Sequence, residues 1–126
     1  MRIVNTEFGP AAESFLDGFY ADVVAEVQRA VVQDTVVVVG MFLNPYVVLV
    51  RRALRAENIP YTYLQYGGYL SQWKPRLAIK MWSGWPTFPQ VFVNGVLVGG
   101  CKRTQEAIRT GLMQQLLTKT QTEPNP

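Results

Sequence analysis

The most informative segment of the chain, residues 85–101, reads WPTFPQVFVNGVLVGGC. Apolar runs at 91–93 and 96–98 flank Asn94 and Gly95, and each run has the composition of a short strand. Asn-Gly supplies the two positive φ angles of a type I′ turn, whose twist matches that of an antiparallel pair. The segment therefore predicts a β-hairpin, and the double glycine that follows it predicts a tight turn.

The segments around this hairpin alternate between strand and helix patterns. Predicted helices cover Ala11–Gln33, Asn44–Glu57, a short stretch from Lys74-Pro75, and Thr104–Leu117 with Gly111 near its middle or splitting it, while predicted strands cover Thr35–Val39 and Tyr61–Tyr66. A strand-helix-strand unit needs a crossover and hence a parallel pair, whereas the hairpin is antiparallel. The predicted fold class is therefore α/β, with a small mixed four-stranded sheet flanked by helices on both faces.

At 126 residues the chain has the length of one domain. We expect a core over about residues 34–117, a leader and first helix at 1–33, and a polar tail at 118–126. The longest apolar run, Val36 to Leu43, is too short to cross a bilayer. The first residues show neither a secretory signal nor a transit-peptide pattern, so either no such signal directs import or the numbering begins after its cleavage.

The residue types present exclude several kinds of chemistry. Histidine is absent, which removes the commonest general base and metal ligand. Cys101 is the only cysteine, so a single chain can hold no disulfide, no CxxC redox pair and no thiolate-rich zinc site. The sequence therefore predicts no cofactor and no metal site.

Charge is unevenly distributed along the chain, although the formal net charge is only +3. Residues 1–34 hold six acids and two bases, whereas the remaining residues hold ten bases and three acids. Such a dipolar molecule can dock on an acidic protein, a membrane surface or RNA. Ordinary solvated faces are the simpler explanation for any single charge.

Residues 85–101 resemble the corresponding part of the glutaredoxins, which have the thioredoxin fold, and resemble the single-cysteine mitochondrial members most closely. The combination of Thr-x-Pro-Gln before a strand, an Asn-Gly turn and a double glycine is specific. Further matches lie at Val36–Val39, Asn44-Pro45-Tyr46, Asn58–Tyr61, Arg76 and Ile79-Lys80, within a resemblance that covers about Asp34 to Leu117.

The resemblance implies a nucleophilic thiolate at the N-terminus of the second helix, where the helix dipole and free N–H groups stabilise the anion. That nucleophile would lie at Asn44, and the second thiol of a dithiol enzyme at Val47, but neither residue is cysteine. Met41 stands where these proteins place a lysine, and Lys102 stands where an acidic residue usually follows Gly-Gly-Cys. Thiol–disulfide exchange and shared iron–sulfur binding at this position are therefore not supported.

The resemblance also implies the remains of a glutathione groove. Its predicted members are Arg76, Thr87, Phe88, Pro89, Gly99, Gly100 and Cys101. Arg76 would pair with a carboxylate, and a cis Pro89 would expose the Phe88 backbone for antiparallel pairing with an extended peptide. The proline and the glycines also serve this fold when no ligand binds.

Two further features have both a functional and a structural interpretation. Lys102 and Arg103 would lower the pKa of the Cys101 thiol and favour glutathionylation, but a lone cysteine between Gly-Gly and a helix is more often a packing residue, which we favour. The Tyr66–Leu70 segment, a Gly-Gly turn with flanking aromatic residues, is predicted to be exposed and to contact another protein.

These observations predict a non-catalytic glutaredoxin-like protein that is an accessory subunit of a larger assembly. The resemblance suggests a mitochondrial setting, such as a respiratory complex or a mitoribosome, with other subunits as partners. The alternatives are a module that binds glutathione or an extended peptide, a weak thiol oxidoreductase acting through Cys101, and an RNA-contacting protein that uses the basic part of the chain.

Overall fold

The computed structural model describes residues 18–119. The helices in this range are α1 (Ala21–Gln33), α2 (Pro45–Ala56), α3 (Trp73–Ser83), α4 (Cys101–Thr110) and α5 (Leu112–Thr118), and the strands are β1 (Val36–Gly40), β2 (Thr62–Gln65), β3 (Gln90–Val93) and β4 (Val96–Gly99). The leader, residues 11–17 of the helix predicted over Ala11–Gln33, and the tail after residue 119 lie outside the described residues. Within them the predicted helix is shorter, because α1 begins at Ala21 after Tyr20, whose φ of 47° is left-handed. No helix within 18–119 is long and apolar enough to span a membrane.

The four strands form one mixed sheet in the order β2-β1-β3-β4. β1 is parallel to β2, with Val38 opposite Tyr63, and antiparallel to β3, with Val38 opposite Val91. The β3–β4 hairpin turns at Asn94 and Gly95, whose φ angles are 46° and 81°, as the Asn-Gly pair predicts. The predicted mixed four-stranded sheet is therefore confirmed.

The alternation of side chains along β1 divides the core into two layers. Val36 and Val38 pack in the layer that includes residues of α2, α4 and α5, whereas Val37 and Val39 pack in the layer that includes residues of α1 and α3. All four valines are at most 2% exposed. A strand covered on both faces explains the continuous β-branched run, and the predicted placement of helices on both faces is confirmed.

The prediction for the last helix needs correction. The helix begins at Cys101 rather than at Thr104, because the double glycine leads directly into its first turn. Gly111 ends α4 in the left-handed region, with φ of 85°, and α5 starts at the next residue. The earlier start places Cys101 inside the helix instead of in the loop before it.

The end of β1 determines how close α2 can approach the sheet. A Cβ atom on Gly40 would lie 2.9 Å from both methyl carbons of Val47. Val47 itself is 2% exposed. Position 47 is therefore a packing position between α2 and the sheet.

Candidate functional site

A groove of about 670 Å³ lies where the N-termini of α2 and α4 meet the loop before β3. Six of the seven predicted groove residues line it: Arg76, Thr87, Phe88, Pro89, Gly100 and Cys101. Gly99 does not, and its backbone instead packs against the side chains of Trp85 and Arg103. The Phe88–Pro89 peptide bond is cis, as the resemblance implied. The folded chain thus brings most of the predicted site residues together.

Asn44 joins the N-terminus of α2 to the loop before β3. Its Oδ1 accepts from the backbone N–H groups of Tyr46 at 2.9 Å and Val47 at 3.3 Å, which confirms the predicted N-cap. Its Nδ2 donates to the Phe88 carbonyl at 3.3 Å. The N–H groups that would stabilise an anion at this position are therefore bonded to a neutral amide.

The Phe88 carbonyl, which was predicted to be available to a peptide, already accepts a hydrogen bond. The donor is the Asn44 side chain. Pro89, the next residue, has no N–H to offer. Backbone pairing of an extended peptide at Phe88 stays a prediction, and such a peptide would share the Phe88 carbonyl with the Asn44 side chain or compete with it.

Arg76 holds the loop between β2 and α3. The residue is 7% exposed, and its Nη1 donates to the carbonyl oxygens of Tyr66 at 2.9 Å and Ser71 at 2.6 Å. Arg76 also lines the groove, as predicted, but these two bonds anchor its guanidinium to the fold. Pairing with a ligand carboxylate stays a prediction, and such a ligand would approach a guanidinium that already has a structural role.

Cys101 is a packing residue in the first turn of α4. It is 8% exposed and belongs to the core layer of Val36 and Val38. Burial raises the pKa of its thiol above the ordinary value. The lowered pKa considered for Cys101 is therefore wrong, and the packing interpretation is supported. Within residues 18–119, no three histidine, cysteine, aspartate or glutamate side chains converge on a metal site.

The groove is lined by basic side chains. These are Arg76, Lys80, Lys102 and Arg103, and no acidic residue is among the described residues that line it. Lys80 is not among the residues predicted for the groove. Its spacing was a usable signal, since Lys80 lies four residues after Arg76 and hence on the same face of α3.

Exposed apolar side chains border the groove on two neighbouring loops and the helices that follow them. We call this surface the apolar ridge, and its members are Phe42, Leu43, Tyr46, Tyr69, Leu70 and Trp73. The loops are joined because the Phe42 N–H donates to the Gly67 carbonyl at 2.6 Å. Tyr46 and Tyr69 line the groove as well, so the apolar ridge and the groove are continuous.

The prediction of an exposed Tyr66–Leu70 segment is correct only in part. Tyr69 and Leu70 are 64% and 101% exposed, but Tyr66 is buried at 7%. The Tyr66 hydroxyl donates to the Glu26 carboxylate on α1, and burial together with that carboxylate raises the pKa of Tyr66. Tyr66 therefore belongs to the core layer below α1 and α3, and the exposed surface begins after it.

Comparison with known proteins gives the family. The family model described as Glutaredoxin matches residues 45–98. A glutaredoxin-like protein of Dictyostelium discoideum is 42% identical over 118 residues, which are 94% of this chain and 96% of that protein. The chain belongs to the glutaredoxin family.

Other similarities to glutaredoxins are shorter or structural. A probable monothiol glutaredoxin 2 of Rickettsia prowazekii is 49% identical over 39 residues, which are 31% of this chain and 36% of that protein. The structure of a buckwheat glutaredoxin–glutathione complex matches with a TM-score of 0.68 at 23% identity, and the match covers 84% of this chain and 93% of that one. The predicted glutaredoxin resemblance and thioredoxin fold are therefore confirmed.

Proposed function

We propose that this glutaredoxin-like protein is non-catalytic and acts as an accessory subunit of a larger protein assembly. The observation that carries the proposal is the neutral amide of Asn44 at the N-terminus of α2, where the family resemblance implies the nucleophile. An amide cannot attack a disulfide or bind iron as a thiolate does. The protein therefore keeps the glutaredoxin shape without the group that performs the chemistry.

The two other positions considered for a thiol argue against a substitute nucleophile. Val47, the implied second thiol position, packs against Gly40. Cys101 is buried, and the raised pKa of its thiol lowers the thiolate fraction at neutral pH. A weak oxidoreductase activity through Cys101 is therefore disfavoured by the same observations that make it a packing residue.

An activity assay with a designed positive control tests the absence of catalysis. The wild-type protein is assayed for glutathione-dependent reduction of a peptide–glutathione mixed disulfide, beside Asn44→Cys made in a Cys101→Ala background. We expect no turnover from the wild type and a gain of turnover from the Asn44→Cys variant, whose thiol lies at the helix N-terminus. Wild-type turnover that Cys101→Ala abolishes would refute the proposal.

The apolar ridge supports the proposed role as a subunit. Its side chains are between 56% and 101% exposed at Phe42, Leu43, Tyr46, Tyr69, Leu70 and Trp73. Contiguous apolar surface of this kind is typical of protein interaction sites. We therefore expect the endogenous protein to migrate on native electrophoresis in a band far above its mass of 14.2 kDa. Migration at the monomer mass would contradict the subunit role.

We place the proposed assembly in mitochondria on the resemblance to single-cysteine mitochondrial glutaredoxins. A protease-protection experiment on fractionated cells tests this placement independently of the assembly. Co-fractionation with a mitochondrial matrix marker, and protection until the membranes are dissolved, would support it. Recovery in the cytosolic fraction would refute the mitochondrial location but would not contradict the role as a subunit.

A second candidate function is binding of glutathione without chemistry, and the groove itself favours it. Arg76 and the Thr87–Pro89 segment line the groove as the resemblance implies. Lys102 acts against it, because a positive charge stands where an acidic residue would face the glutathione ammonium group. Isothermal titration of the protein with glutathione tests this candidate, and the absence of heat at millimolar ligand would exclude it.

A further inference from the structure

We infer that the apolar ridge and the groove together form a docking surface for an extended, acidic segment of another protein. The inference rests on the proposed function, because it specifies the chemistry of the partner that an accessory subunit would contact. Three features of the structure carry it: the hydrogen-bonded loops that present the ridge, the sign of the charges beside it, and the bond that already occupies the Phe88 carbonyl.

The loops that present the apolar ridge are held in place by hydrogen bonds. Phe42 N–H donates to the Gly67 carbonyl at 2.6 Å, and the Gly68 N–H donates to Ser71 Oγ at 3.1 Å. The Arg76 side chain also donates to the Tyr66 and Ser71 carbonyls in the same loop. These bonds support the loop conformation that exposes the ridge, and a partner that binds to this conformation keeps them.

Positive charge lies along the whole length of this surface. Lys74 Nζ lies 5.6 Å from the centre of the exposed Trp73 ring, and Lys80 Nζ lies 5.7 Å from the centre of the Phe88 ring in the groove. Lys102 and Arg103 also line the groove, and the described lining residues include no carboxylate. A segment that carries glutamate or aspartate between apolar residues matches this surface, whereas a basic segment is repelled.

Recognition on this surface would depend on side chains more than on backbone pairing. The Phe88 carbonyl already accepts one bond, from Asn44, and Pro89 has no N–H, which leaves fewer backbone groups for pairing. Apolar side chains of the partner would pack on Tyr69, Leu70 and Trp73, and its carboxylates would meet the lysines and arginines of the groove. Affinity would then fall with rising salt, because the charges are exposed at the groove mouth.

Fluorescence anisotropy with two matched peptides tests the inference. The probe is a fluorescein-labelled peptide of about a dozen residues in which glutamate alternates with leucine or phenylalanine. Its partner probe has lysine at every glutamate position. We expect the full-length protein to bind the acidic probe and to bind the lysine probe at least about tenfold more weakly, with the acidic interaction weakened by added salt.

Paired variants separate the two parts of the surface. Lys102→Glu tests the charge, and Arg52→Glu on the exposed part of α2 is its control, since both reverse one exposed basic residue. Trp73→Ser tests the ridge, and Leu112→Ser on α5 is its control, since Leu112 is also exposed, at 45%. Each test variant should weaken acidic-probe binding about tenfold, whereas each control should change it less than about twofold.

Several outcomes would overturn the inference. These are equal binding of both probes, no binding of either, or equal effects of test and control variants. Concentration-dependent dimerisation that Trp73→Ser removes would also overturn it, since the ridge would then contact a second copy of the chain. Turnover in the mixed-disulfide assay refutes the proposed function alone, whereas failed probe binding by an inactive protein refutes this inference alone.

Discussion

Asn44 Nδ2 lies 3.3 Å from the Phe88 carbonyl oxygen, so a single neutral amide caps α2 and also connects it to the loop before β3. These residues are 44 positions apart in the sequence. The contact crosses the groove at the point where the family resemblance implies the nucleophile. The amide satisfies both the helix N-terminus and a buried carbonyl, and so fixes α2 against the loop before β3.

Removing the Asn44 side chain should destabilise the protein through both contacts. Asn44→Ala loses the N-cap, which is worth about 1 kcal/mol, and leaves the Phe88 carbonyl without its partner, which costs about 1–3 kcal/mol. Asn44→Ser keeps a capping oxygen but is too short to reach Phe88. We expect urea denaturation to show a loss of about 2–4 kcal/mol for Asn44→Ala and about half of that for Asn44→Ser.

The serine variant decides whether the hydrogen bond from Asn44 to the Phe88 carbonyl contributes to stability. If Asn44→Ser unfolds at the wild-type midpoint, the bond to Phe88 contributes nothing to stability and the cap accounts for the whole effect. If it is as unstable as Asn44→Ala, the cap contributes nothing. Either result would contradict the two-part role of Asn44 described above.

Arg76 should stabilise the loop between β2 and α3 whether or not a ligand is present. Arg76→Lys keeps the charge but replaces the planar guanidinium, whose Nη1 donates to the Tyr66 and Ser71 carbonyls, by a shorter and more strongly hydrated ammonium group. We expect a loss of about 1–3 kcal/mol in the free energy of unfolding. Amide hydrogen exchange between residues 67 and 71 should become faster in the same variant.

Lys74→Met is the matched control for the arginine variant, because Lys74 is a basic residue on the exposed surface of the same helix. It should leave both the unfolding free energy and the amide exchange of the loop close to wild type. If Arg76→Lys changes the unfolding free energy and the amide exchange of the loop as little as this control does, Arg76 does not stabilise the loop. A role of the buried Arg76 in ligand binding would then be favoured.

The parts of the structure that sequence could predict are those determined by neighbouring residues. The Asn94-Gly95 turn and the Asn44 cap each depend on side chains within three positions, and both appear as predicted. The continuous β-branched run of β1 likewise predicted a strand covered on both faces. Local pattern was sufficient because each of these features is formed within one element or one turn.

The parts that sequence could not predict depend on contacts between distant segments. Tyr66 looked exposed beside a Gly-Gly turn, but its hydroxyl meets Glu26, which is 40 positions away on α1. The start of α4 at Cys101, instead of the predicted Thr104, was likewise missed, although the packing role favoured for Cys101 agrees with its place in the core. The loop that carries Phe42 and Leu43 lies beside the rest of the apolar ridge, where the Phe42 N–H donates to the Gly67 carbonyl.

The buried thiol of Cys101 should react slowly, and faster only in alkaline solution. Burial raises its pKa above the ordinary value of 9.0, so the thiolate fraction near neutral pH is smaller than that of a free cysteine. We expect the rate of iodoacetamide alkylation to keep rising through pH 9 without a plateau. The urea-unfolded protein should react faster at every pH and follow an ordinary thiol titration.

A fast alkylation near neutral pH that levels off below pH 9 would contradict this assignment. It would show a lowered pKa, as the neighbours Lys102 and Arg103 would produce at an exposed thiol. Lys102→Met tests whether the neighbouring charge lowers the pKa of the Cys101 thiol. If burial determines that pKa, the variant should leave the alkylation rate of the folded protein unchanged.

Tyr66 should make the fold sensitive to alkaline pH. Its pKa is raised above the ordinary value of 10.0 by burial, by its hydrogen bond to Glu26 and by the Glu26 charge. Below that ordinary value the tyrosine is protonated in both the folded and the unfolded state. Above it the unfolded state loses its proton first, so the free energy of unfolding must fall as pH rises.

Tyr66→Phe should therefore flatten the alkaline part of the stability curve. At neutral pH the variant loses the bond to Glu26 and about 1–2 kcal/mol of unfolding free energy, but urea denaturation between about pH 9 and 11 should show a smaller decline than in the wild type. Some decline persists, because the pKa values of Tyr63 and Cys101 are also raised. Tyr69→Phe, at an exposed position, should follow the wild-type curve. Parallel curves for the wild type and Tyr66→Phe would show that Tyr66 ionises alike in both states and that its contact with Glu26 does not hold the proton.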